Sequence, residues 1–159
     1  MTRDARSPVL VGIGVSTQRE EDARALEPLD LMIDAVRRAG KDSGAEALLA
    51  GVQRVAVPKG RWRYQNPGGE TARSIGAQRS VSVLSTVGVL QQTLIGDACL
   101  RIAQGEVDTA LVVGGDAGYR LLRSKIAGAA LRDRQQADTP DVTLAPHDEL
   151  RHPAELQAA

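Results

Sequence analysis

The chain has 159 residues, enough for one domain with a real core, and 20 basic residues balance 20 acidic ones, so no global field draws it to nucleic acid or an anionic membrane. Hydrophobic residues make up 42% and charged residues 25%, but with no Phe, one Trp and two Tyr the core must be built from Ala, Val, Leu and Ile. A single cysteine excludes an intrachain disulfide and a cysteine-rich zinc site, and no segment reaches the ~18 consecutive apolar residues of a membrane span, so the expected location is cytoplasmic.

Residues 8–16, "PVLVGIGVS", are a β-branched run closed by glycines, the pattern of a buried parallel strand, and are expected as the first strand. Leu29, Met32, Ile33 and Val36 then recur at helical spacing, with Gly40 as the expected C-cap. Ser43 and Glu46 have capping-box spacing and should open a short helix through Leu48 and Leu49. "VQRVAVP" is the second strand, and "KGRWRYQNPGGE", residues 59–70, reads as an exposed loop. "TARSIGAQRS" makes a brief helix before a third strand, "VSVLST".

A tight turn at Gly88 leads into a helix whose stripe is Ile95, Ala98, Cys99 and Ile102, ended by Gly105 ahead of a fourth strand, "TALVVGG". Strands alternating with helices define an α/β fold with right-handed crossovers and a mainly parallel sheet covered on both faces. From Gly118 to about Arg134 the pattern is again helical and basic, and the tail from Gln135 reads as an extended loop.

Few residues carry chemistry. "GIG" at 12–14 fails as a dinucleotide fingerprint, because the third glycine would fall at Thr17, and no phosphate-cradling P-loop is present. Cys99 lies well inside its helix on the apolar stripe, away from the N-terminal dipole that lowers a thiol pKa, so it reads as a buried structural cysteine rather than a nucleophile. His147 and His152 lack a third ligand, so no metal site is expected. Ser85 and Thr86 sit near the turn without an assignable base and read as strand-end packing. "RWRY" within a neutral chain is not a nucleic-acid stacking platform. The cluster from Arg120 to Arg134 is either a solvated helix face or a binding surface for ligand phosphates.

Four pieces occur in a telling order: "PVLVGIGVST", "YQNPGGETARSIGA", the turn with "LIGDACLRIAQGEVD", and "ALVVGGDAG". Together they make residues 8–118 resemble the N-terminal part of a thiolase, of the thiolase-like and sterol-carrier-type acetyl-CoA acetyltransferase branch, and "HDELRHPAEL" resembles the loop region that follows. The resemblance implies a thiolase-like N-terminal domain over 1–118 and the start of a loop domain over 119–159. It also implies a strand order of 3-2-1-4, the fifth strand of the half missing and one sheet edge unpaired.

In thiolases the turn carries a cysteine that accepts the acyl group as a thioester. Counting back from Gly105, that position falls on Gly88, and a shift of one residue gives Val89, so no catalytic residue is assigned. The family's remaining catalytic residues belong to a second half beyond Ala159. The resemblance thus implies an acyl-CoA-metabolism domain of the acyltransferase type, inactive in thiolysis or condensation by itself, with a coenzyme A thioester as substrate and no cofactor. It places Arg120, Arg123 and Lys125 where the loop domain meets coenzyme A, and it implies a homodimer or hetero-oligomer through the third strand. The competing readings are a non-catalytic subunit or interaction module that completes a partner's fold or acyl-CoA tunnel, and an active acyltransferase or aldolase whose catalytic residues lie beyond Ala159.

Overall fold

A computed structural model describes residues 6–19, 25–131 and 133–146. The described chain is α/β, as its alternation of strands and helices implies. The helices are α1 (Pro28–Asp42), α2 (Pro67–Ser74), α3 (Gln91–Ala103) and α4 (Gly118–Ile126), and the strands are β1 (Arg54–Pro58), β2 (Val81–Ser85), β3 (Ala110–Val112) and β4 (Val142–Leu144). All pairings are parallel and the order is β3-β1-β2-β4.

The core has two sides because strand side chains alternate. On one face Leu29, Met32, Ile33 and Val36 of α1 pack on Val55 and Val57, joined by Ala72 of α2. On the other, Leu94 of α3 packs on Ala56 and Val83. The spacing read from the sequence therefore does bury one side of α1, which continues to Asp42 rather than stopping at Gly40. Arg54, 4% exposed, ties α3 to the sheet by donating from Nε to Asp97 at 3.0 Å, and Asp97 also accepts from Arg101.

Several expectations are corrected. Residues 8–16 are not a strand and lie outside the sheet, so β1 pairs directly with β3 and the order 3-2-1-4 does not hold. The cause is close packing: Gly12 and Gly14 sit so near α1 that a Cβ would collide with the carbonyls of Ala39 and Ala35. The Ile13 N–H donates to Asp42 at 2.8 Å and the Ser16 hydroxyl to Asp34 at 2.6 Å, which fix the segment along the helix. Instead of a capping-box helix, residues Glu46–Gly51 form a 3-10 helix, because the Ser43 hydroxyl turns back to Gly40 O at 2.6 Å. The 59–70 loop is not wholly exposed: Trp62 and Tyr64 are buried, and Asn66 caps α2 by accepting from Gly69 N.

The tail also behaves differently. The basic helix ends at Ile126, not near Arg134, and residues Val142–Leu144 return as β4 to the same sheet that residues 54–112 build. A clasp holds them there. Ser82 donates to Asp141 Oδ2 from both its N–H and its hydroxyl at 2.7 Å, and its hydroxyl accepts from Asp141 N at 3.1 Å. The side chain of Asn66 donates to Asp138 at 3.2 Å and to Thr139 O at 2.9 Å. As a result β2 is an interior strand, paired with β1 on one side and β4 on the other.

These bonds hold two carboxyls below the ordinary aspartate range, Asp141 through Ser82 and Asp138 first through Arg73. A depressed carboxyl stabilises the fold above its unfolded pKa of about 3.9 and loses that contribution as pH falls through the folded value. Acidification from pH 5 toward 2 is expected to lower the amide protection factors, measured against the intrinsic exchange rate at each pH, in residues 138–144 ahead of those in β1. Ser82→Ala, which removes a buried hydroxyl bonded twice to Asp141, is expected to cost about 1–2 kcal/mol in denaturant unfolding and to open the same residues.

Candidate functional site

In an open parallel sheet, ligands gather at the carboxyl ends of the strands. Here that end is made by the turn after β2, the start of the 59–70 loop, the segment after β3 and the end of β4. Lys59 N donates to Ser85 O at 3.1 Å, and Thr86 N to Leu144 O at 2.8 Å, so three strand ends are locked side by side. The turn then closes with Val89 N on Thr86 O at 3.3 Å, and α3 begins at Gln91.

Gly88 is exposed at the tip of this turn with φ +105°, a backbone state that L side chains rarely adopt. A Cβ there would stand 3.0 Å from Pro146 Cγ. The neighbouring Val89 is 9% exposed and faces inward. Ser85 is fully buried and its Oγ has no hydrogen-bond partner among the described residues, in line with strand-end packing. No group of three or more metal-ligating side chains occurs among the described residues. His147 and His152 lie outside them.

Lys59 and Trp62 went unnoticed in the sequence as a unit. Lys59 Nζ stands 4.4 Å over the Trp62 ring, and burial lowers its pKa. The Trp62 Nε1 donates to Gly115 O at 2.9 Å, and Arg61 pairs with Asp116 at 2.9 Å, so the loop is stitched to the segment after β3. The available signal was "VPKG", a lysine and a glycine directly after a strand, at the end of the sheet where ligands bind.

The basic residues of α4 are only partly convergent. Arg120, 15% exposed, donates to Asp133 at 2.6 Å, so its charge is already met within the chain. Arg123 is half-buried and shares a face with Arg120, three residues back, whereas Lys125 is exposed and sits about 140° further round the helix from Arg120. Cys99, expected to be buried, is half-buried in the wall of an apolar cavity on the outer side of β3. It lies inside α3, so it is not part of the turn.

The fold is similar to that of a monomeric SCP2-thiolase-like protein type 1 from Mycobacterium smegmatis, known from a crystal structure. The two superpose with a TM-score of 0.58 and 27% sequence identity, over 72% of this chain and 24% of that one. The chain thus spans about a quarter of the length of that protein. No protein-family model and no curated protein matches the chain. The structure is a thiolase-like half-domain: a parallel sheet of four described strands with helices around it, and a strand-turn-helix elbow at Gly88. No helix among the described residues is long and apolar enough to cross a membrane.

The positive φ at Gly88 makes a direct prediction. Gly88→Ala is expected to destabilise the chain by about 1–2 kcal/mol, read as a lower denaturant midpoint at unchanged m-value. Leu90→Ala, on an exposed neighbour in the same turn, is expected to change stability by less than about 0.5 kcal/mol.

Proposed function

We propose that the chain is an N-terminal thiolase-like domain of acyl-CoA metabolism whose elbow offers no nucleophile and which forms no acyl-enzyme by itself. The observation that carries this reading is the elbow itself: in a fold similar to an SCP2-thiolase-like protein, a strand-turn-helix has Gly88 at its tip, where the sequence resemblance expects a cysteine. A glycine has no side chain to attack a thioester, and Cys99, inside α3 and away from the turn, cannot substitute for one.

The part of the reading that concerns coenzyme A rests on Arg120, Arg123 and Lys125. Guanidinium and ammonium groups pair well with phosphates, and Arg120 would exchange its Asp133 partner for a ligand phosphate. The third-strand contact between copies draws less support. β2 has β4 along Val83–Ser85, so a copy pairing there must displace β4 or use the exposed start of the strand at Val81.

Calorimetric titration with coenzyme A tests the reading. Saturable binding is expected, weakened about tenfold or more in the Arg120→Ala, Arg123→Ala, Lys125→Ala triple variant. Intact-mass measurement after incubation with acetyl-CoA is expected to show unmodified protein. A folded chain that ignores coenzyme A, or one that becomes acetylated within residues 85–91, would contradict it.

A further inference from the structure

The flank of the sheet beyond β3 is built as though one more strand were to lie there. β3 pairs with β1 along one edge only, and its residues Ala110–Val112 are just half-buried although helices stand on both faces of the sheet. Thr109 O and Val113 N bond toward β1, so by the alternation of a parallel ladder Ala110 and Val112 turn their N–H and C=O outward. Among the described residues these groups have no partner.

Outside that edge is a cavity of about 470 Å³. Both helices overhang it, α1 with small residues such as Ala35 and Ala39 and α3 with Ile95, Cys99 and Ile102. Residues 8–14 form its far wall, and no charged side chain among the described residues lines it. That wall cannot fill the cavity, because Gly12 and Gly14 and the bonds to Asp42 and Asp34 hold it against α1. Its Val9, Leu10, Val11 and Ile13 remain 55–79% exposed, and Ile13 is the one residue of 8–15 whose backbone has a hydrogen bond among those described.

An aliphatic small molecule would satisfy the apolar helices and leave two rows of backbone groups unpaired at its sides. An extended peptide satisfies both. We propose that the slot between β3 and residues 8–14 is a docking site for a short, uncharged, apolar strand of a partner protein, whose backbone pairs with the free edge of β3. The absence of charge in the walls sets the chemistry of the strand, since a Lys, Asp or Glu entering there would lose its hydration with no partner. The site shares no residue with the turn at Gly88, and the proposal holds whether or not the chain binds coenzyme A.

Cys99, the single thiol of the chain, lines the slot and reports on its occupancy. The probe is a short acetylated, amidated Val/Ala peptide, with a control of the same sequence N-methylated at alternate residues, which keeps the side chains and blocks backbone pairing. At ten times its Kd the plain peptide is expected to slow alkylation of Cys99 about tenfold and to protect the amides of Ala110 and Val112 from exchange. The N-methylated peptide should do neither. Ala110→Pro, which removes an outward N–H without touching the β1 ladder, should abolish the protection while amide exchange in β1 and β2 stays slow. No protection by the plain peptide overturns the proposal, as does equal protection by the N-methylated peptide or by 1-dodecanol, which would make the slot a simple apolar cavity. Concentration-dependent dimerisation that shields Cys99 with no peptide present also overturns it, in favour of a second copy as the occupant.

Discussion

The carboxylate of Glu27 joins parts of the chain that are far apart in sequence. It is 8% exposed, and its Oε2 accepts from the Tyr64 hydroxyl at 3.0 Å and from Arg134 N at 2.7 Å, while Arg134 Nε stands 3.2 Å from Oε1. Arg134 also reaches Asp30 at 2.7 Å. A buried carboxylate is tolerated only when such partners replace its hydration. Its place just before α1 adds the favourable field of a helix N-terminus. The entry to α1, the aromatic loop and the return segment that leads to β4 are held at one point. Burial, and after it the same carboxylate, pushes the Tyr64 hydroxyl well above the usual tyrosine range, keeping it neutral and a donor.

From that point the rest of the architecture follows in two directions. Toward the carboxyl ends of the strands, the return segment is clasped by Asn66 and Ser82, and β4 closes the side of β2. The elbow at Gly88 is supported from below by Lys59 and from the side by Leu144. Toward the other flank no described residue does the same, and among the described residues β3 keeps a free edge beneath two overhanging helices. An unpaired edge with apolar walls is a liability for a protein alone in water, and natural sheets ordinarily blunt it with charge or a covering loop. Here residues 8–14 stand across the slot without closing it.

Much of this was legible in the sequence. The α/β class, α1 with its buried stripe and the strands at 54–58, 81–85 and 110–112 all follow from apolar periodicity, since a 3.6-residue or continuous apolar pattern has few ways to be buried. The turn at Gly88 was visible for the same reason, because only glycine suits φ +105° cheaply. What misled was context. Residues 8–16 have the composition of a buried strand, but two of them are glycines that fit against α1, and that contact took precedence over the strand pattern. The half-exposed Cys99 was misplaced because an apolar stripe on α3 does not disclose that the layer beside it is incomplete.

Much of the local order was thus determined by the sequence alone: the buried stripe of α1, the strands from Arg54 to Val112, and the turn with glycine at its tip. Tertiary structure decided which strands are neighbours, since pairing depends on contacts that no local pattern records. It drew Val142–Leu144, three residues in a proline-containing polar tail, into the sheet through Asp141 and Ser82, side chains 59 positions apart. It also matched Arg120 to Asp133 and placed Lys59 over Trp62. Periodicity reports the face a residue buries, whereas the partner of a buried charge or a free strand edge is set by the distance that folding removes.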